Sequence, residues 1–218
     1  MDSKNQSRRW LSLYPKDYSP NLAPEANHGL DHLRKTVQRH SQTPALYYFD
    51  KIISYKELDE MSDAFACALK DFGIKKGDRV ALYLQNIPQF VIAQYGIWKT
   101  GGIVVPLNPM YREKELTYYF LDASVRVLVC MESLYGEMVR KVVKETGVEH
   151  VITTSELDFL DPESPRPSLL KGIEKNRDLN TLDFITLIER YRGKHSPEVE
   201  LSREDVAYLT YTSGTTGP

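Results

Sequence analysis

Eight residues at the end of the chain, Tyr211-Thr212-Ser213-Gly214-Thr215-Thr216-Gly217-Pro218, combine hydroxyls and glycines as an anion-binding loop does. Glycine lets backbone approach a ligand closely, successive N–H groups converge on negative charge, and Ser and Thr hydroxyls add donors. Just upstream, Asp205-Val206-Ala207-Tyr208-Leu209-Thr210-Tyr211 is β-branched and aromatic, and reads as a strand that empties into the loop. The spacing is not that of a Walker A loop, because Gly214 and Gly217 stand three apart and no lysine follows within the chain. Nor is Ser213 a nucleophile-elbow serine, since Tyr211 stands where G-x-S-x-G needs glycine. By composition alone such a cluster is more often an ordinary loop than a phosphate site. If it works, it works by holding phosphate oxygens; no nucleophile or other catalytic residue is expected within this chain.

A loop of this kind needs a rigid sheet behind it, and the preceding residues alternate accordingly. Ser54 and Glu57 have capping-box spacing, and Leu58, Met61, Phe65, Leu69 and Phe72 mark one face of a helix that Gly73 closes. Residues 79–84 read as a short buried strand. Pro88 opens a helix carrying Phe90, Tyr95 and Trp98, which Gly101-Gly102 ends. Then follow a strand at 103–105, a helix at 113–122, a strand at 125–130, a helix at 134–146 and a strand at 150–152. Repeated strand–helix–strand units of this length predict an α/β fold, a largely parallel sheet with helices on both faces. A small β-hairpin is expected around Asp50-Lys51.

Two stretches break the pattern. Residues 1–28, with Pro15, Pro20 and Pro24, read as an extended arm whose Trp10, Leu11, Leu13, Tyr14 and Tyr18 should lie along the domain surface. Residues 153–180 contain Asp161-Pro162-Glu163-Ser164-Pro165-Arg166-Pro167 and read as an exposed insertion. There, Leu160, Leu169, Leu170 and Ile173 around Lys171 and Lys175 would form either a membrane-contacting patch or, the blander reading, a loop covering its own apolar residues. Leu182, Ile185 and Ile188 resume a helical face. Residues 29–218 thus form one α/β unit.

At 218 residues and 41% hydrophobic, the chain can bury a substantial core. A net charge of −2 and the lack of a basic stripe argue against nucleic acid. No apolar stretch approaches the length of a membrane span, and Met1 to Gln6 lack a signal core, so a cytoplasmic protein is expected, with peripheral membrane contact as the option the insertion leaves open. Cys67 and Cys130, far apart in apolar segments, read as reduced packed thiols. His28 and His32 are spaced for one helix face but lack a third ligand, so solvated histidines are favoured over zinc.

In its full form, Tyr-Thr-Ser-Gly-Thr-Thr-Gly-Pro resembles the phosphate-binding signature of the adenylate-forming superfamily of acyl-CoA synthetases, luciferases and adenylation domains. Two further segments resemble that family in the expected order: Gly73-Ile74-Lys75-Lys76-Gly77-Asp78-Arg79-Val80-Ala81, and Trp98-Lys99-Thr100-Gly101-Gly102-Ile103-Val104-Val105-Pro106-Leu107-Asn108-Pro109. Taken by themselves, the glycines of these segments are scaffold rather than catalysis, and Asp78-Arg79 a surface turn pair. Trp10, Tyr14-Pro15, Asn108-Pro109-Met110-Tyr111 and the Pro-rich insertion look most like fatty-acyl-CoA ligases of the long-chain type. A short-chain or aryl-CoA ligase, a peptide-synthetase adenylation domain and a non-catalytic interaction module are the alternatives.

The resemblance implies ATP, Mg²⁺ and CoA as cofactors, with a fatty acid carboxylate attacking the α-phosphorus and CoA then displacing AMP. It implies that Thr212, Ser213, Thr215 and Thr216 supply hydroxyls and Gly214 and Gly217 supply N–H groups to the phosphates, with Thr212 also a magnesium contact. It further implies that the loop's lysine, the nucleotide and acyl pockets and a mobile C-terminal domain lie outside these residues. The expectation is an N-terminal fragment that is inactive alone, binds ATP no better than millimolar and, with an apolar face uncovered, forms a homo-oligomer.

Overall fold

The computed structural model describes residues 9–15, 17, 26–178 and 180–212. The hairpin forms first, from β1 (Pro44–Tyr48) and β2 (Lys51–Ser54), antiparallel, with Phe49 at φ 51° turning the chain. The expected capping box then starts α2 (Tyr55–Asp71), which follows α1 (Gly29–His40): Glu57 N–H donates to Ser54 Oγ at 3.2 Å, and Ser54 N–H donates to Glu57 Oε2 at 2.7 Å. Gly73, at φ 77°, closes this helix in the left-handed region where a Cβ is unfavourable.

Five parallel strands follow: β3 (Arg79–Tyr83), β4 (Ile103–Pro106), β5 (Val125–Met131), β6 (His150–Thr154) and β7 (Leu182–Asp183), in the order β4-β3-β5-β6-β7. From β3 the chain moves outward through α3 (Pro88–Lys99) to β4, and returns through α4 (Glu113–Asp122) to β5 on the other side of β3. The reversal creates a switch point, where ligands of open α/β sheets gather at the strands' carboxyl ends. Alternating residues divide the core between the faces. Val127, Val129 and Met131 point toward α2, α3 and the short α7 (Phe184–Arg190), with Phe65, Ile92 and Phe184. Leu128 and Cys130 point the other way, toward Leu116 and Phe120 of α4. The expected α/β fold with helices on both faces and a small hairpin is the observed one.

The amino ends of the strands are stapled together. Asp78, just before β3, accepts from Arg126 of β5 at 2.7 Å; Arg126 also pairs with Glu149, before β6, and donates to the Gly73 carbonyl at 3.0 Å. Arg79 donates to the carbonyls of Ala123 and Ser124. The Gly-Asp-Arg turn is therefore a joint between strands rather than a surface pair.

Five expectations need correction. Residues 205–211 do not form a strand: one parallel bridge joins Tyr208 to Val104, because a tight turn closed by the Ser202 N–H on the Asp205 carboxylate delivers the chain to β4 only at Ala207. The helix expected at 134–146 is broken into α5 (Glu132–Leu134), a π-turn (Tyr135–Val139), α6 (Arg140–Val142) and a 3₁₀ turn (Val143–Glu145); the wider turn lets Tyr135, Val139 and Val142 all reach the core. Leu182 is not helical but begins β7, and Asp183 caps α7 by accepting from Thr186 N–H at 2.7 Å. The insertion is tied down rather than simply exposed. The buried Asp158 carboxylate accepts from Thr154 Oγ1 and Ser155 N–H and pairs with Lys175 at 2.7 Å, Glu132 Oε2 accepts from Asn176 N–H, and of its four apolar residues only Leu169 is exposed. In the arm, Trp10, Leu13 and Tyr14 of and beside a 3₁₀ turn (Arg9–Leu13) are exposed rather than packed; Tyr18 lies outside the described residues.

Candidate functional site

The approach to the hydroxyl–glycine loop is held at three successive points. Lys76, in the turn before β3, pairs with Asp205 at 2.7 Å and donates to the Glu200 carbonyl at 2.8 Å; the Lys76 ammonium, and then the Ser202 N–H, hold the Asp205 carboxyl below its usual range. Next, Trp98 near the end of α3 donates its indole N–H to the Ala207 carbonyl at 3.0 Å and meets the Tyr208 ring edge-on at 5.3 Å. At the same place Val104 N–H donates to Ala207 and Leu209 N–H donates to Val104, so the segment runs parallel to β4. Burial pushes the Tyr208 phenol up to about 12.

The third point is Tyr211, on the opposite face of the sheet. Its hydroxyl donates to Asp122 Oδ2, the last residue of α4, at 2.5 Å, and its ring lies 4.2 Å from that of Tyr119, which in turn meets Tyr111 at 4.9 Å. Burial first, then the Asp122 carboxylate, push the Tyr211 phenol up, so it stays a protonated donor at neutral pH. The chain thus crosses from the α3 side to the α4 side while running beside β4, and leaves toward the carboxyl edge of the sheet. Thr212 follows, exposed; Ser213, Gly214, Thr215, Thr216 and Gly217 lie outside the described residues.

For Mg²⁺ the chain offers the Thr212 hydroxyl, one hard oxygen of the kind this ion accepts beside phosphate and water. Among the described residues no group of three or more His, Cys, Asp or Glu side chains could hold a metal. The nearest carboxylate by contact, Asp122, is engaged by Tyr211. The exposed Thr212 hydroxyl is thus compatible with one contact to such an ion.

Sequence reasoning singled out the loop but missed the anchors of its approach. Trp98 was legible only as part of a helix face, and Asp122 only as a helix end; they act across 109 and 89 positions. His28 is not a simply solvated residue: it sits at the N-cap of α1, its Nε2 3.4 Å from Asp31, with Nδ1 buried and unpartnered among the described residues. Cys67 and Cys130 are free thiols; burial raises both, and Cys130 is fully enclosed.

Comparison with known proteins places this geometry. A long-chain-fatty-acid–CoA ligase of Haemophilus influenzae is 34% identical over 220 residues, covering 95% of this chain and 38% of that protein. One of Bacillus subtilis is 31% identical over 216 residues, with the same coverage of 95% and 38%. The chain thus spans less than half the length of these relatives. A long-chain-fatty-acid-CoA ligase from Archaeoglobus fulgidus superposes with a TM-score of 0.69 at 23% identity, covering 93% of this chain and 38% of that one. An anthranilate CoA ligase bound to anthranoyl-AMP gives 0.72 at 22% identity, covering 90% and 34%. The pattern of the family described as AMP-binding enzyme matches residues 33–218, and the chain belongs to that family.

Proposed function

We propose that this chain is the N-terminal part of an ATP-dependent fatty acid–CoA ligase, which converts fatty acid, ATP and CoA to acyl-CoA, AMP and pyrophosphate through an acyl-adenylate. The observation that carries the reading is the delivery of Tyr211-Thr212 to the carboxyl edge of a parallel sheet by Lys76, Trp98 and Asp122, directly ahead of a hydroxyl- and glycine-rich loop. In this reading Thr212, Ser213, Thr215 and Thr216 donate hydroxyls to the triphosphate, and Gly214 and Gly217 let backbone N–H groups reach it. Such fixed donors stabilise the charge that gathers on pyrophosphate as it leaves. Mg²⁺, with Thr212 as one contact, supplies further positive charge at those oxygens.

The long-chain preference rests on the relatives' names and on similarity along the whole chain. The test is to join these residues to the remaining two-thirds of a long-chain relative and follow AMP and acyl-CoA formation over a series of carboxylic acids. Turnover of ATP and a long-chain acid supports the ligase reading, because these residues then supply a working phosphate loop; a folded chimera that turns over none of the acids overturns it. The 218-residue chain by itself is expected to make no acyl-CoA and to bind ATP no better than millimolar, since scattered donors contribute only about 0.5–1.5 kcal/mol each; micromolar binding by calorimetry contradicts this.

We also propose that the chain self-associates. Val206, Tyr208 and Leu209 present exposed apolar surface beside β4, and a monomer by light scattering argues against it. A cytoplasmic location with peripheral membrane contact is the further proposal, resting on exposed Leu169 alone within the insertion. Equal flotation with vesicles of the chain and of a Leu169→Ser variant removes the membrane contact.

A further inference from the structure

The start of α1 leans on the tryptophan that holds the approach to the loop. Three residues box in the Trp98 ring. Tyr95 meets it edge-on at 5.5 Å and Tyr208 edge-on at 5.3 Å, while Gly29, the first residue of α1, lies against its outer ring. A Cβ at Gly29 would stand 2.7 Å from Cζ3 and 3.2 Å from Cη2, well inside the optimal separation of carbon atoms. Gly29 has helical backbone, so no turn demands glycine here. The close approach demands it.

The helix is pinned on both sides of this contact. Leu30 and Leu33 are buried in the main core. Before Gly29, Asn27 Oδ1 accepts from Arg203 Nε at 3.1 Å, in the turn that the Ser202 N–H closes on Asp205. Asn27 is itself fixed, because its N–H donates to Asp31 Oδ2 at 2.9 Å. With α1 unable to back away, a side chain at position 29 must displace the Trp98 ring. The indole N–H lies at the opposite end of that ring from Cζ3 and donates to the Ala207 carbonyl. A push at one end therefore draws the donor off Ala207 at the other.

We propose that Gly29 is a positioning residue for the phosphate-binding loop, acting through the Trp98 ring on Ala207. Its absent side chain lets α1 hold the ring where the indole N–H reaches the backbone that leads into the loop. The consequence for ATP rests on the ligase reading; the mechanical link from Gly29 to Ala207 does not.

The test is a double-mutant cycle in the 218-residue chain, read by hydrogen exchange at the Leu209 amide, which donates to the Val104 carbonyl. Gly29→Ala is expected to speed that exchange about fivefold, as loss of one hydrogen bond would, and to leave the amides of α2 and β5 unchanged. Trp98→Phe should speed it by a similar factor. Because the smaller ring leaves room for a Cβ, Gly29→Ala added to Trp98→Phe should change exchange by less than about twofold, the non-additivity of residues acting as one unit. Additive effects overturn the proposal, as does equal acceleration in α2 and β5, which would make Gly29 a general support of the fold. Should Gly29→Ala fail to fold by circular dichroism, the double variant decides. If it folds and exchanges like Trp98→Phe, the ring is the target; if it too is unfolded, Gly29 serves something else and the proposal fails. Joined to the rest of a long-chain relative, Gly29→Ala is expected to raise KM for ATP about fivefold with KM for the acid and kcat little changed. An equal rise in both KM values overturns the link to the phosphate loop. An unmutated chimera that turns over nothing counts against the ligase reading alone, and the exchange cycle still decides the role of Gly29.

Discussion

The α2–α3 pair and the 205–212 segment solve the same problem, holding backbone in place, by opposite means. Between the two helices, contact is dense and buried. Phe65 is fully enclosed, 5.1 Å from the Phe184 ring, and a Cβ on Gly96 would come within 2.7 Å of Phe65. Lys99 is buried there too, its ammonium 2.6 Å from Asp59 and 2.9 Å from Asp63. By contrast, the 205–212 segment has one bridge to β4 and three side-chain anchors, and its Val206, Tyr208 and Leu209 are exposed. The frame is rigid because it is packed; the approach to the loop is positioned because it is tethered. Tethers can be cut one at a time, whereas packing fails as a whole.

The largest effect should follow from damage to the packed pair. Phe65→Ala empties a site enclosed on all sides and is expected to cost about 3–5 kcal/mol, read as a shifted urea midpoint for the whole chain. If instead only the 205–212 amides lost protection from hydrogen exchange, the contrast between the regions would be wrong. Lys99→Met leaves Asp59 and Asp63 facing each other without a cation and should cost about 3 kcal/mol in the same measurement.

The same pair predicts a pH dependence. Burial alone would raise the Asp63 carboxyl, but the hydrogen bond and charge of Lys99 outweigh it and hold it below its ordinary value. The unfolded chain therefore takes up a proton first. The stability that Asp63 contributes is complete above the unfolded carboxyl value of about 3.9, and is lost as pH falls through the lower folded value. Asp63→Asn should flatten this acid limb of a stability–pH curve; an unchanged slope would show that other carboxylates set it.

The smallest global effects belong to the tethers. Tyr211→Phe removes the hydroxyl's bond to Asp122 but keeps the ring on Tyr119, and is expected to ease local opening of the 205–212 segment by about 1 kcal/mol. Trp98→Phe removes the indole donor to Ala207 with a similar local effect. Both should speed amide exchange and proteolytic cleavage around 205–212 while leaving the urea midpoint of the frame nearly unchanged. Joined to the rest of a ligase, Tyr211→Phe should weaken ATP use more than it weakens folding.

This contrast also explains what could be read in the sequence. The long helices and central strands were legible because their causes are local: the Ser54–Glu57 cap, Pro88 at the first turn of α3, Gly73 at a positive φ, and strands that are short, nearly continuous apolar runs. The 205–211 stretch has the composition of a strand, yet strand formation is decided by what lies beside it, and only Val104 offers a partner. β7 is two residues long, too short for any period to reveal, and the π-turn at Tyr135–Val139 answers to burial rather than to local preference. The loop itself was legible because its residue types are unusual together. Its supports were not, because tryptophan in a helix and aspartate at a helix end have many commoner uses.

The joint at the amino ends of the strands bears on how kinship should be interpreted. Gly77, Asp78 and Arg79 are among the residues by which this chain resembles its relatives, yet their contacts run to Arg126, Ala123 and Ser124, at the end of the sheet away from the loop. A descendant that had abandoned nucleotide chemistry altogether would still need that joint to keep its strands aligned. Its persistence in a genome therefore records common descent, and only the far rim can reveal whether an enzyme survives.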